Sequence, residues 1–312
     1  MPRPSPEPLP ACTAVLDPSD PRWPEGLDRL AEPPATLHVV GRPPPWPRAV
    51  AVVGTRRADD DALDFARELG ARLAGAGCTV VSGGARGVDA AAHEGALEAG
   101  GPTVAVLASG IRWPYPPEHG PLFRRIAAHG ALVAELEDCA PLRGRFLARN
   151  RLIAGLAQAV VVVQAPHRSG ALSTAAHARR LERPVLAVPA APWDVRGQGN
   201  LALLASGAAI CTRSRDVLSV AAFGAGGCPA GDPAPESENM SSMPDLAPDA
   251  LAVWRELGSR EKHLDQLVRA TRLPVARVQR ALVELVLEGL ALEGAAAHYR
   301  RPPPDPGPRA PN

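Results

Sequence analysis

The chain has 312 residues, enough for one large core and a second small one, and its 46% hydrophobic content is ordinary for a globular protein. With 34 basic and 33 acidic residues its formal charge is +1 at pH 7, which excludes a protein that holds nucleic acid through bulk positive charge; any such binding must come from local clustering. Lys262 is the one lysine among the basic residues. A cation that touches a ligand is therefore an arginine, which favours forked phosphate contacts and stacking, and Schiff-base chemistry has little scope.

Five scattered cysteines, Cys12, Cys78, Cys139, Cys211 and Cys228, form no C-x-x-C pair and read as reduced and structural. The proline-rich start lacks the apolar segment of a signal peptide. The longest apolar run, 152–165, is broken by Gly155 and Gln158 and falls short of the ~20 residues that a membrane helix needs. A cytoplasmic protein without membrane contact is expected.

In chain order, residues 1–48 read as a proline-rich lead-in that wraps over the next domain. From 49 to 223 short β-branched runs alternate with alanine- and leucine-rich helical stretches, the pattern of a parallel sheet with crossover helices. Strands are expected at 50–53, 78–82, 103–107, 132–135, 160–164, 185–188 and 208–211, and helices near 60–76, 88–99, 119–129, 149–157, 171–182 and 199–206. Residues 224–245, rich in Gly, Pro, Ala, Ser and Glu, read as a flexible linker. In 246–301, apolar positions at helical spacing (Leu251, Trp254 and Leu257; Leu264, Leu267 and Val268; Val275, Val278, Ala281, Leu282 and Leu285) mark three helices. Gly289 ends the third, and a hairpin at 290–293 and 297–300 completes a winged helix-turn-helix. The tail at 302–312 reads as disordered. The expected fold is α/β: an extended Rossmann-like parallel sheet domain with a small C-terminal winged helix-turn-helix domain.

Candidate ligand residues lie where loops leave the carboxyl ends of strands. The stretch Val80–His93, VVSGGARGVDAAAH, passes from strand to helix through Ser82, Gly83, Gly84, Arg86 and Gly87. Its glycines permit a left-handed backbone and close approach, and a helix N-terminus suits an anion such as phosphate. The same glycines also serve a purely steric turn, and the spacing matches neither G-x-G-x-x-G nor a P-loop. After the first strand comes Gly54-Thr55-Arg56-Arg57, read as a phosphate-facing turn or as two exposed arginines. Residues 143–151, RGRFLARNR, set Arg143, Arg145, Arg149 and Arg151 around Phe146 without an acid. Clustered arginines with one aromatic suit single-stranded nucleic acid, where phosphates take the charge and a base stacks on the ring; alternatively Phe146 is core and the arginines solvate a helix start. Ser169 and Gly170 open a helix after the fifth strand, where a hydroxyl is first of all a cap. Trp113-Pro114-Tyr115-Pro116 reads as a rigid lid, and His93 as a satisfied core or edge histidine. No Ser/His/Asp set, metal-ligand spacing or paired carboxylates stand out, so no enzyme, metal or cofactor is expected.

Taken together, SGGARGVDAAAH, VGTRR, RFLARNRLIAGL, SGALSTA and GQGNLALLASGA, in this order over about 49–220, closely resemble the DNA-processing protein A family, also called Smf. The resemblance extends back to DPRWPEGLDRLAEPPATLHVVG and forward to the winged helix. It implies a Rossmann-like domain that binds single-stranded DNA and helps load the recombinase RecA during natural transformation, usually as a homodimer. It also carries over Arg56, Arg86, Arg143, Phe146, Arg149, Asn150 and Arg151 as DNA-contacting candidates. The chain departs from the family at Leu147 (usually proline), Gln164 (usually glutamate) and Ala190 (usually glycine), and the N-terminal helical domain of many members is not evident.

Two other functions are weighed. A nucleotide hydrolase of the phosphoribohydrolase type would need a PGGxGTxxE-like loop with a general acid/base, and SGALSTAAHARR offers no carboxylate there. A transcription regulator working through the C-terminal domain alone would have nine basic against seven acidic residues over 246–301, a weak charge for a duplex reader.

Overall fold

The computed structural model describes residues 12–44, 46–220, 246–258, 261–294 and 297–302. The expected linker at 224–245 and all but the first residue of the expected tail lie outside them, as do residues 1–11. The chain divides into two compact units, 1–232 and 233–312, and each has its own hydrophobic core.

The first unit is built on a nine-stranded sheet. Its strands are β1 (Ala14–Leu16), β2 (Leu37–Gly41), β3 (Ala49–Val53), β4 (Thr79–Ser82), β5 (Thr103–Leu107), β6 (Ala131–Ala134), β7 (Ala159–Val162), β8 (Val185–Ala187) and β9 (Ala209–Ile210), in the order β1-β2-β6-β5-β4-β3-β7-β8-β9. From β6 to β9 every pairing is parallel. Helices α1 (Asp60–Gly75), α2 (Val88–Glu98), α3 (Gly120–His129), α4 (Arg143–Leu156), α5 (Gly170–Arg180), α6 (Gln198–Ala205) and α7 (Ser214–Val220) connect and follow the strands.

Strand β3, AVAVV, shows why these runs form the centre. Ala49, Ala51 and Val53 join the core under α4, α5 and α6, while Val50 and Val52 join the core under α1, α2 and α7. A strand covered on both faces reads as a continuous apolar run rather than an alternating one. The seven expected strands are all present.

Two features differ from the sequence reading. The proline-rich lead-in supplies β1 and β2, which extend the sheet beyond β6, β2 pairing antiparallel with β6 and β1 antiparallel with β2; Leu16, Leu37 and Val39 are fully buried there. Helix α4 starts at Arg143, six residues before the expected start, so the arginine cluster lies on the helix itself.

Among the described residues the second unit has three helices, α8 (Pro248–Glu256), α9 (Leu264–Thr271) and α10 (Val275–Leu287), and a small sheet of β10 (Lys262–His263), β11 (Leu292–Glu293) and β12 (His298–Arg300) in the order β10-β12-β11. The expected hairpin is β11 with β12; β10 is an additional strand. Val253, Leu257, Leu267, Val278, Ala281, Leu282 and Leu285 make the core. This helix–strand–helix–helix–hairpin order is a winged helix.

Candidate nucleic-acid interface

Strand order reverses between β3 and β7. The loop after β3 runs to α1 on one face of the sheet and the loop after β7 to α5 on the other, which opens a crevice beyond the strand ends. A cavity of about 660 Å³ occupies that crevice. The β3 loop contributes Gly54, Thr55, Arg56 and Arg57; the glycine loop and α2 contribute Ala85 and Asp89; and Ser169, Gly170 and Thr174 close the far side. Helix α4 lays Arg143, Phe146, Leu147, Arg149, Asn150 and Ile153 along it.

An aromatic and cationic cluster stands at its mouth. The Arg56 guanidinium lies over the Phe146 ring, 4.8 Å from its centroid. Tyr115 meets the same ring in a T-shaped contact with centroids 5.8 Å apart. Arg56, Arg57 and Arg143 are exposed around them, while Phe146 is half-buried. Arg143 and Arg145 occupy the first turn of α4 with no acid and no side-chain cap on Leu142. Cations at this end oppose the helix dipole, a charge arrangement that a bound anion relieves.

The other candidates have different surroundings. Arg149 is 6% exposed; its Nη1 donates to the Gly83 carbonyl at 2.8 Å and to the Val106 carbonyl. Burial, with the like charge of Arg56, lowers its pKa to about 10 against the pull of Asp89, so it stays charged at neutral pH. Arg151 is turned to Glu135, at 2.6 Å, and does not line the cavity. Arg86 is exposed and paired with Glu118 beside a smaller pocket that also touches Gly83, Arg56, Tyr115 and Phe146. The Ser82 hydroxyl is buried and donates to the Val52 carbonyl at 2.6 Å. Asn150 Nδ2 donates to the Gly170 carbonyl at 3.0 Å, tying α4 to α5, and Ser169 caps α5 by accepting from the Ala171 N–H at 3.3 Å.

The glycine loop itself is filled from within. Gly83 and Ala85 direct their N–H groups at Asp89 Oδ2, at 3.1 and 3.4 Å. Burial raises the Asp89 pKa, and the Arg149 charge and these N–H donors oppose that rise. Gly84 and Gly87 take left-handed φ values of 64° and 79°; both serve close packing, Gly84 against the Phe123 ring and Gly87 against the Thr55 carbonyl.

Asp89 and Tyr115 are cleft residues that the sequence reading did not place in the site, whereas Arg57 stood in its phosphate-facing turn. Asp89 carried a signal, since an acid in the first turn of a helix after a glycine loop has that loop's N–H groups within reach. Gln164, where the family usually has glutamate, donates to Asp59 Oδ2 at 2.7 Å and accepts from the Asp59 N–H at 3.2 Å. An amide makes both bonds without setting two carboxylates together. Among the described residues no cluster of three or more His, Cys, Asp or Glu is placed to hold a metal, and no helix is long and apolar enough to cross a membrane.

Fold and crevice define an α/β protein of the doubly wound class, with an arginine- and aromatic-lined cleft at its switch point and a winged helix in a separate unit. Residues 14–222 match the DNA recombination-mediator protein A family, and 234–295 match the DprA winged helix domain. The chain belongs to the DNA-processing protein A (DprA/Smf) family. It is 32% identical over 320 residues to Protein Smf of Synechocystis, covering 92% of this chain and 79% of that protein. It is also 43% identical over 247 residues to a putative DNA processing protein DprA of Mycobacterium tuberculosis, covering 78% of this chain and 62% of that one. The X-ray structure of DprA from Streptococcus pneumoniae superposes with a TM-score of 0.61 at 32% identity, over 66% of this chain and 73% of that one. DNA processing protein A from Helicobacter pylori, in a structure concerned with its single-stranded DNA binding mode, gives 0.59 at 32% identity, over 65% and 93%.

Proposed function

We propose that the chain binds single-stranded DNA across the switch-point cleft, as a non-enzymatic DNA-processing protein that delivers the strand to the recombinase RecA during natural transformation. The observation that carries this is the Arg56–Phe146–Tyr115 cluster, flanked by exposed Arg57 and Arg143 at the mouth of the cavity. A base stacks on a ring while neighbouring arginines take the phosphates, which is how sequence-tolerant strand binding works. The relative from Helicobacter pylori, named for its single-stranded DNA binding, supports the choice of ligand. Family membership supports the RecA partner, a homodimer and a cytoplasmic location. Arg149, Asn150, Ser169, Gly170, Ser82, Gly83, Gly84 and Gly87 then shape the cleft from behind, while Arg56, Arg143 and Phe146 meet the strand; Arg86 and Arg151 are secondary, each already paired with a glutamate.

The test is a titration of labelled single- and double-stranded oligonucleotides at several salt concentrations, with AMP hydrolysis assayed in parallel. The Arg56→Ala, Arg143→Ala double variant weakens single-strand binding and flattens the salt dependence by about 0.7 in log–log slope for each phosphate it no longer neutralises. Phe146→Ala costs about 1–3 kcal/mol of binding with the slope nearly unchanged. Equal affinity of wild type and both variants removes the cleft as the site, and AMP hydrolysis without strand binding would favour the phosphoribohydrolase alternative.

A further inference from the structure

We propose that Asp89 is the resident anion of the glycine loop and that it closes this loop to free phosphate monoesters, such as the phosphate of a mononucleotide. The loop has the elements of a phosphate site: N–H donors in the turn that leads into an 11-residue helix, and an arginine against them. Asp89 Oδ2 takes the donors from Gly83 and Ala85. Beside the same face of Gly83 lies the Arg149 guanidinium, on a residue more than nine-tenths buried whose Nε has no partner. A methyl group built on Gly83 would stand 2.5 Å from Arg149 Nη2 and 2.7 Å from Asp89 Oδ2. A gap that cannot hold a methyl group cannot hold a phosphate beside the carboxylate.

The consequence is specificity. A carboxylate supplied by the chain satisfies the donors permanently, so a free nucleotide finds no cradle there, and a ligand is left with the exposed cations at the cleft mouth. This concerns the glycine loop alone and stands whether or not the cleft binds a DNA strand.

Removing the carboxylate should uncover the site. The experiment measures thermal melts of the full chain, wild type and Asp89→Ala, in inorganic phosphate and in chloride at matched ionic strength and pH 7. Wild type melts at the same temperature in both. Asp89→Ala is less stable in chloride and rises by roughly 3–6 °C in phosphate at about ten times its Kd. Asp89→Ser, which keeps a small polar group at the helix start, behaves in the same way. If a variant is isolated unfolded, refolding is compared in the two salts, and recovery in phosphate alone supports the proposal. A folded variant without a phosphate-specific rise, an equal rise in wild type, or refolding that does not depend on phosphate overturns it.

Discussion

Arg149→Ala separates a residue that builds the cleft from one that touches the ligand. In the folded state Arg149 Nη1 serves two carbonyls, Gly83 and Val106, and its charge opposes the desolvation of buried Asp89. Truncation leaves both acceptors without this donor, at about 1–3 kcal/mol for each one left unsatisfied. It also leaves Asp89 without that opposing cation, and breaking a buried charge pair costs about 3–5 kcal/mol. These losses share one site and do not add, because protonation of Asp89 and a rearranged glycine loop relieve part of them. The expected loss is about 3–5 kcal/mol, a large share of the roughly 5–15 kcal/mol that holds a domain folded. Urea unfolding followed by circular dichroism reads it. Combining Arg149→Met with Asp89→Asn, which removes both charges and keeps much of the volume, should regain part of the loss. A variant with wild-type stability that has lost single-strand binding would refute the reasoning and make Arg149 a ligand contact.

Two further outcomes follow from buried groups. His93 is fully buried, and Thr103 donates its hydroxyl to the Val80 carbonyl, so the histidine must donate from Nδ1 to Thr103 and stay neutral. Its pKa falls from 6.5 to about 3, chiefly through burial; a depressed folded pKa gives stability that is complete above 6.5 and lost as pH falls toward 3, about 1 kcal/mol between pH 7 and 5.5. Denaturant unfolding at these two pH values should show that increment in wild type and lack it in His93→Gln; equal pH dependence in both proteins would exclude His93 as its source. Gly87→Ala places a Cβ against the Thr55 carbonyl and 2.9 Å from the Arg56 carbonyl carbon at a φ of 79°, so a loss of at least about 2 kcal/mol is expected. A melting temperature within about 1 °C of wild type would count against the close approach of the two loops.

The parallel sheet was legible because its strands are covered on both faces. Runs such as AVAVV at β3 and TVAVL at β5 carry at most one polar residue, Thr103 at the start of β5, and are bounded by clear turns. The two antiparallel edge strands were not legible. Ala14–Leu16 is only three residues long, and Leu37–Gly41 stands between Pro33-Pro34 and Pro43-Pro44, where proline density suggests irregular chain. What makes them strands is a sheet edge that local sequence does not announce: Leu37–Gly41 covers β6, a partner far along the chain, and Ala14–Leu16 then covers Leu37–Gly41. The start of α4 was hidden for a related reason. It has no capping side chain and no acid in its first turn, and Gly144 stands at its second position. Packing sets that start where local signals are missing.

The misplaced helix start also hid how the arginine cluster divides between the cleft and the other faces of α4. Read as a loop, RGRFLARNR is four equivalent arginines around a ring. Read as a helix from Arg143, it sorts itself by the 3.6-residue period. Arg143, Phe146, Asn150 and Ile153 fall on one stripe, with Leu147 and Arg149 at its borders, and all six line the cavity. Arg145 and Arg151 fall on other faces, and Arg151 finds Glu135 there. Periodicity can say which arginines face the crevice, but not how far each is withdrawn from water. That depends on residues far along the chain: two carbonyls, of Gly83 and Val106, and the carboxylate of Asp89 draw Arg149 inward, whereas Arg143, nearer the start of the helix, remains exposed. A cluster of like charges in a sequence is therefore a set of candidates, and the buried acceptors brought beside each one by the fold decide which remain for a ligand.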